Sequence, residues 1–407
     1  MDYWKNKMRI ELQNIEFFPA KGGIESYLYN VSRTLLKLGH KPSIFCTKHI
    51  PNLLQKENIK GIEVIRHKRF NLPFPFRFFN PIHYAIGLQK YINERVNKVD
   101  AFWARHPYYC YATAKVVEKK KPVIFIQATP LPRFLKLNYQ RISLANRIYT
   151  IGVIPQVYLI EKKALFSCNR IVTLSKSKKK EISDFYKIST NKFSVIPPGV
   201  DLERFKLREK DEDFMYKLGI KKNECVILTV GRLVASKNIS MLLRAFSKMK
   251  IKNTKLIIVG DGFQKIYLQN LAKDLNIEKR VVFTGFIQEV EKFYNIADVF
   301  VCPSIYEGFG HVFLEAMASG LPCIGIKSDY PYTIVATEEI IEDGESGFVV
   351  RRNAIEDMAV KLDLLINDRD LRNRMSNLAR SICEKRYHWE NSVNRLLLLT
   401  EEISKKK

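Results

Sequence analysis

Short apolar runs rich in β-branched residues alternate with helical patterns almost from end to end of this chain, and that alternation restricts the fold more than any other feature. The runs are Ile10–Phe18, Ser43–Cys46, Ile62–Ile65, Ala101–Trp103, Val123–Ile126, Ile171–Leu174 and Phe193–Ile196, then Val226–Val230, Lys255–Val259, Val281–Thr284, Val299–Cys302 and Cys323–Ile326. Continuous apolar runs separated by helices are what parallel strands covered on both faces look like. At 407 residues the chain exceeds one ordinary core, so the pattern predicts two doubly wound α/β domains in tandem. The seam is placed near 197–205, where Pro197-Pro198-Gly199 stops a strand and a polar stretch, Asp201 to Asp213, follows. The expected domains are 1–198 and 199–387. A last helix, Trp389–Ile403, follows, and its periodicity does not say which lobe it joins.

Charge is distributed unevenly. Residues 1–200 carry 35 Lys and Arg against 12 Asp and Glu, whereas residues 201–407 carry 33 against 30, so nearly all of the +26 net charge lies in the first half. That half is expected to face a polyanion, whether nucleic acid, an anionic leaflet or a phosphorylated substrate, unless the lysines serve solubility alone. The longest uncharged apolar stretch, Ile148–Ile160, is broken by Pro155 and is too short to span hydrocarbon. The first ten residues lack an apolar segment of the secretory kind, and the seven cysteines show no metal-ligand or disulfide spacing. A cytoplasmic chain with free thiols is the expectation. Phe70 to Phe79 interleaves five phenylalanines with prolines, just after Arg66, Lys68 and Arg69. Its prolines make it a loop, which either seats in a lipid headgroup layer or plugs the end of the first core.

The chemistry concentrates in two strand-loop-helix segments. In Cys302-Pro-Ser-Ile-Tyr-Glu307-Gly308-Phe309-Gly310-His311-Val-Phe-Leu-Glu315, the glycines let backbone approach a ligand, and the helix start after Gly310 can hold an anion. Glu307 sits at the loop mouth and Glu315 a turn or two into the helix, so the two could reach opposite ends of one molecule. In Val230-Gly231-Arg232-Leu-Val-Ala-Ser-Lys237-Asn238, Gly231 opens the turn while Arg232 and Lys237 supply two cations suited to a diphosphate.

G-R-L-x-x-x-K-N followed about 70 residues later by E-G-F-G-x-x-x-x-E-A-M-A-x-G-x-P resembles the donor domain of retaining glycosyltransferases of family 4, which have the GT-B fold. The resemblance extends to Lys21-Gly22-Gly23-Ile24-Glu25 and to Val195-Ile-Pro-Pro-Gly-Val-Asp201. It implies two Rossmann-like domains facing across a cleft, an acceptor-binding first and a donor-binding second, with residues 388–407 crossing back onto the first. It implies that Arg232 and Lys237 bind the diphosphate of a nucleotide-sugar donor, that Glu307 contacts the transferred sugar and that Glu315 holds the ribose. Gly231, Gly308, Phe309, Gly310 and His311 would complete the phosphate site, Thr284 and Phe286 would border the base, and Gly22 and Gly23 would lie near the phosphates or acceptor. Where many members carry a histidine facing the sugar, this sequence has Gln127, which can donate a hydrogen bond but carries no charge. His106 could substitute for it or be a plain loop histidine.

No cofactor and no metal are expected. Asp211-Glu-Asp213 forms a D-x-D, but in a charged linker. The implied activity is transfer of a sugar to a glycan or lipid-linked acceptor, polyprenyl phosphate among the candidates, with the protein peripheral on the inner face of an anionic membrane. No nucleic-acid module is recognisable, so nucleic acid is not an expected partner. A non-catalytic polyanion binder and a nucleotide-sugar hydrolase or epimerase remain the alternatives.

Overall fold

A computed structural model of the chain describes residues 7–20, 22–68, 72–73, 76–138 and 144–406. It divides into two units. Unit 1 is Met1–Leu174, Lys178–Pro197 and Trp389–Lys407, and unit 2 is Ser175–Ser177 and Pro198–His388.

Every apolar run singled out above contains a strand, and the central ones bury side chains on both faces of a sheet. In unit 1 the strands are β1 (Arg9–Gln13), β2 (Lys41–Thr47), β3 (Lys56–Ile59), β4 (Ile62–His67), β5 (Ala101–Ala104), β6 (Val123–Gln127), β7 (Arg170–Thr173) and β8 (Phe193–Val195). They lie in the order β3-β4-β2-β1-β5-β6-β7-β8, all parallel except β3, which pairs antiparallel with β4. The helices α1 (Gly23–Lys37), α2 (Asn80–Asn93), α3 (Pro107–Val117), α4 (Leu131–Asn138), α5 (Leu144–Ser167) and α6 (Lys176–Tyr186) connect them. Crossovers of this kind place the carboxyl ends of the parallel strands on one edge of the sheet. On one face of this sheet Phe102, Phe125 and Ile171 pack with Ala164 and Leu165 of α5, each fully buried large side chain contributing roughly 1.5–3 kcal/mol.

Unit 2 repeats the plan with β9 (Cys225–Val230), β10 (Thr254–Val259), β11 (Val281–Gly285), β12 (Val299–Cys302), β13 (Cys323–Ile326) and β14 (Gly347–Val350) in the order β11-β10-β9-β12-β13-β14, all parallel. Its helices are α7 (Glu212–Lys217), α8 (Ile239–Lys248), α9 (Lys265–Asp274), α10 (Glu291–Ile296), α11 (His311–Ala318), α12 (Thr337–Ile340), α13 (Ile355–Asn367) and α14 (Arg369–Arg386). Leu242, Phe246, Ile258, Ile324 and Leu362 belong to its continuous core. The final helix α15 (Trp389–Lys405) belongs to unit 1. There Trp389 packs edge-on against Tyr27 of α1, with ring centroids 5.5 Å apart, and the Trp103 indole N–H donates to Thr400 Oγ1 at 3.0 Å.

Two strands had no sequence signal. β3 reads Lys-Glu-Asn-Ile and is an edge strand held by a tight turn at Lys60-Gly61, so it needs no apolar alternation. β14 is a four-residue edge strand opening at Gly347, where a Cβ would come within 2.1 Å of the Cys323 carbonyl. The first strand stops at Gln13 rather than Phe18, although Phe17 beyond it is fully buried. Of the phenylalanine-proline segment, Phe70, Asn71, Phe74 and Pro75 lie outside the described residues, as does Lys21 of the glycine motif. Phe76–Phe79 form a 3-10 turn that runs into α2.

Candidate active site

In a doubly wound sheet the carboxyl ends of the strands diverge where the strand order reverses, and ligands bind in that crevice. In unit 2 the reversal falls between β9 and β12, which pair through Val299 and Phe300. The loops leaving those strands carry Gly231 to Asn238 and Pro303 to Gly310, so the topology brings the two sequence motifs together.

Lys237 closes a 3-10 turn, Ala235–Lys237, and its ammonium is ion-paired and hydrogen-bonded to Glu307 Oε1. The same oxygen accepts from the Ser304 hydroxyl at 2.9 Å. Backbone bonds clamp the two loops, with Ile305 N–H donating to Ser236 O and Glu307 N–H to Ile334 O, both at 2.9 Å. Burial, the largest single influence, would lower the Lys237 pKa, but the Glu307 carboxylate and Cys302 together outweigh it and the pKa is raised, so the ammonium is charged near neutrality. Arg232 acts on Lys237 as a nearby like charge while its own side chain is exposed. The turn depends on glycine. Gly231 has φ +156°, and a Cβ on Gly260 would stand 1.9 Å from the Gly231 carbonyl, so no side chain fits where these strands end.

At the end of the loop, Gly310 has φ +105° and caps α11 without a side-chain acceptor, so no capping side chain offsets the positive end of the helix dipole. Glu315, inside α11, accepts the Tyr294 hydroxyl at 2.8 Å. Burial pushes its pKa up to about 7, against the lowering effect of that hydrogen bond and of Arg204. Thr284 Oγ1 donates to the Gly285 carbonyl at 3.0 Å and Phe286 is exposed. Phe309, expected at the ligand, instead turns its ring inward against Tyr387, so only its backbone is available there.

In unit 1 the predicted residues occupy the carboxyl edge as well, on separate elements. Gly22 and Gly23 are exposed at the start of α1, and a Cβ on Gly22 would lie 2.7 Å from Glu25 Oε2. His106 caps α3, its Nδ1 accepting from Tyr108 N–H at 3.4 Å, and burial pushes its pKa down to about 3. It is therefore a neutral capping residue, not a proton carrier. Gln127, at the end of β6, spends its amide N–H groups on Glu161 Oε1 and on the Thr129 carbonyl at 3.3 Å. What it retains is the Oε1 carbonyl, which has no partner among the described residues. That oxygen is itself buried, and the amide N–H groups expected to serve as donors are engaged within unit 1. Asp211 of the D-x-D caps α7 through Phe214 N–H at 2.9 Å, and no group of three metal-ligating side chains occurs among the described residues.

Residues 210–382 match the sequence model of glycosyl transferases group 1, and residues 21–204 that of Glycosyltransferase Family 4. The chain is a GT-B glycosyltransferase. An uncharacterized glycosyltransferase of Methanocaldococcus jannaschii is 28% identical over 94% of this chain and 95% of its own length. A UDP-Gal:alpha-D-GlcNAc-diphosphoundecaprenol alpha-1,3-galactosyltransferase of Escherichia coli is 34% identical over 49% of this chain and 51% of its own. Among solved structures, a sucrose-phosphate synthase from Thermosynechococcus elongatus superposes with a TM-score of 0.77 at 20% identity, over 98% of this glycosyltransferase and all of that chain. The Anabaena protein HepE in complex with UDP-glucose gives 0.73 at 18% identity, over 97% and 100%.

Sequence reasoning missed Ser304, Tyr294 and Glu161. Ser304 lies three residues before Glu307 and could have been read from that spacing. Tyr294 reaches Glu315 from 21 residues upstream, and Glu161 reaches Gln127 across 34, distances at which no local pattern operates.

Proposed function

We propose that this glycosyltransferase moves a sugar, with retention, from a nucleoside-diphosphate donor held by unit 2 to a lipid-linked or glycan acceptor held by unit 1, without a metal ion. The observation that carries the reading is the Lys237–Glu307 pair beside Arg232 at the switch point of the unit 2 sheet. Breaking a glycosyl phosphate bond builds negative charge on the departing diphosphate. Two cations and the positive end of α11 would receive it, each such donor being worth on the order of 3 kcal/mol in the transition state. Glu307, held between Lys237 and Ser304, is placed for the sugar, and Glu315 for the ribose hydroxyls. Gly22 and Gly23 would serve the acceptor side. The E. coli relative's diphosphoundecaprenol-linked acceptor and the basic charge of unit 1 favour a phosphorylated lipid carrier, and with it a peripheral station on the inner face of a membrane.

Calorimetric titration with UDP, GDP and ADP in EDTA tests the donor site. One nucleotide is expected to bind, and at least tenfold more weakly after Arg232→Ala. Equal binding by the variant would remove Arg232 from the phosphate site. The anomeric configuration of the product, read by NMR, tests retention.

A further inference from the structure

The cysteines are scattered in sequence, but the fold brings two of them together in unit 1. Cys110, in the first turn of α3, and Cys168, one residue beyond α5, are buried in one cluster with Phe125 and Ile171. They meet at a single carbonyl: Ala164 O accepts from the Cys110 thiol at 3.7 Å and from the Cys168 backbone N–H at 3.0 Å. The two thiols are also hydrogen-bonded to each other.

Only Cys168 of the pair reaches the surface. It lines a cavity of about 500 Å³ at the amino edge of the unit 1 sheet, where β7 and β8 begin, and Lys119, Arg170 and Lys192 line the same cavity. The charges of Lys119 and Arg170 both act on Lys192, so the three cations face a common space. No acidic side chain lines it, and none of the three cations is ion-paired among the described residues. Lys192 Nζ donates to the Phe166 carbonyl, a neutral partner. Glu402 and Lys406 stand further along, in the groove that continues past Lys119 and Arg170.

These surroundings make the two thiols unequal. Burial, the largest single influence on Cys168, would raise its pKa, but the Cys110 hydrogen bond, the Lys192 ammonium and two backbone N–H groups together hold it below the ordinary thiol value. Burial and the neighbouring Cys168 sulfur push Cys110 well above it. The thiolate is the nucleophile in disulfide exchange, so Cys168 attacks first and Cys110 second. The cavity selects the reagent. Three cations without an acid concentrate anions and repel cations, so a disulfide that carries carboxylates is drawn to the reacting sulfur and a cationic disulfide is not.

We propose that Cys168 and Cys110 form a redox-active dithiol served by the Lys119–Arg170–Lys192 cavity, which takes small disulfides bearing carboxylates. The Cys168 thiolate attacks one sulfur of the bound disulfide, so that a mixed disulfide forms and one half of the reagent leaves as a thiolate. Cys110 then attacks the Cys168 sulfur, which closes a Cys110–Cys168 disulfide and releases the other half. Two protein thiols are oxidised, the reagent is reduced to two thiols, and the two protons pass to them through solvent. The site lies at the edge of the sheet opposite Gly22 and Gln127 and does not depend on the donor or acceptor reading.

The test treats the reduced full chain with oxidised glutathione, which is net anionic, or with cystamine, which is cationic, and locates the disulfides by mass spectrometry of unreduced peptides. A Cys110–Cys168 linkage is expected, forming at least tenfold faster with oxidised glutathione, and 1 M NaCl is expected to narrow that preference. Lys119→Gln combined with Arg170→Gln should slow the glutathione reaction at least tenfold. Cys110→Ala is expected to stop at a glutathione adduct on Cys168, and Cys168→Ala to leave Cys110 reduced. The comparison of reagents needs only the wild type, so it decides the matter even where a core variant folds poorly. The proposal is overturned by equal rates with the two reagents, by a glutathione adduct that persists on wild-type Cys168, by oxidation of Cys110 in the Cys168→Ala variant, or by the absence of a Cys110–Cys168 linkage.

Discussion

Glu161 in unit 1 and Glu315 in unit 2 are carboxylates placed under a tyrosine hydroxyl, donated by Tyr186 and Tyr294 respectively. Burial raises both, Glu161 to about 8 and Glu315 to about 7. Their surroundings differ in how much acceptor capacity the chain itself consumes. Glu161 is fully buried and also accepts from the Gln127 amide and from Leu131 N–H, through both of its oxygens, so it ties β6, α4, α5 and α6 together. Glu315 is partly exposed and receives the Tyr294 hydroxyl. A carboxylate saturated by its own chain is an internal fastening, whereas one left with open lone pairs at a strand-end crevice is available to a ligand. Glu307 shares one oxygen with Lys237 and Ser304 in the loop after β12.

The largest effect expected from that distinction is on catalysis in unit 2. Lys237→Ala removes a cation from the leaving group and frees Glu307, and should lower kcat by about 100-fold or more, on the order of 3 kcal/mol, with the thermal midpoint nearly unchanged. A steady-state assay with the donor identified by calorimetry decides it. A loss confined to KM would mean that the lysine binds the ground state and the transition state equally.

Glu161→Ala should show the reverse pattern, costing stability on the order of 3 kcal/mol because it strands the Tyr186 hydroxyl, the Gln127 amide and Leu131 N–H in a dry interior. The pH dependence has a definite sign. Because the folded-state pKa lies above that of the unfolded chain, the folded state binds the proton more tightly, and ionisation of Glu161 costs stability as pH rises from about 4.5 to about 8. Denaturant melts across that window should show the wild type losing ground to Glu161→Gln as pH increases. A parallel pH profile for the two proteins would place the titration elsewhere.

How far these roles could be read from sequence follows the same division. The strands and the two glycine-bordered loops were legible because apolar runs and E-G-F-G are local signals, and the parallel order then forces the loops together. β3 and β14 were not, since an edge strand is defined by its neighbour and not by its own pattern. The pairing of Lys237 with Glu307 was legible too, because their loops leave neighbouring strands. Tyr294 and Glu161 were not, because their partners come from remote sequence. Gln127 was found, but the engagement of its amide N–H groups was not, because Glu161, which accepts from one of them, lies on α5, 34 residues away in sequence.

A smaller effect is expected at Glu315. If its open oxygen accepts a ribose hydroxyl, Glu315→Gln should weaken binding of the chosen nucleotide roughly tenfold. Wild-type affinity should fall as pH drops through about 7, where the buried carboxylate takes up a proton and loses acceptor strength, while the variant's affinity stays flat. Calorimetry at pH 6 and pH 8 on both proteins separates this from a general acid sensitivity, which would move the two together.

Asp211 sharpens the comparison from the opposite side, since it too has open lone pairs but is exposed on the linker and engaged in capping α7. Open acceptor capacity without a strand-end crevice or a buried cation should confer no catalytic role. Asp211→Ala is expected to cost about 1 kcal/mol of stability, the ordinary loss on removing an N-cap, and to leave kcat unchanged both in EDTA and with added magnesium. Adding Asp213→Ala should change neither result. A magnesium-dependent wild-type activity abolished by this pair would move metal chemistry to the linker and show that a strand-end crevice is not what separates the working carboxylates from the structural ones.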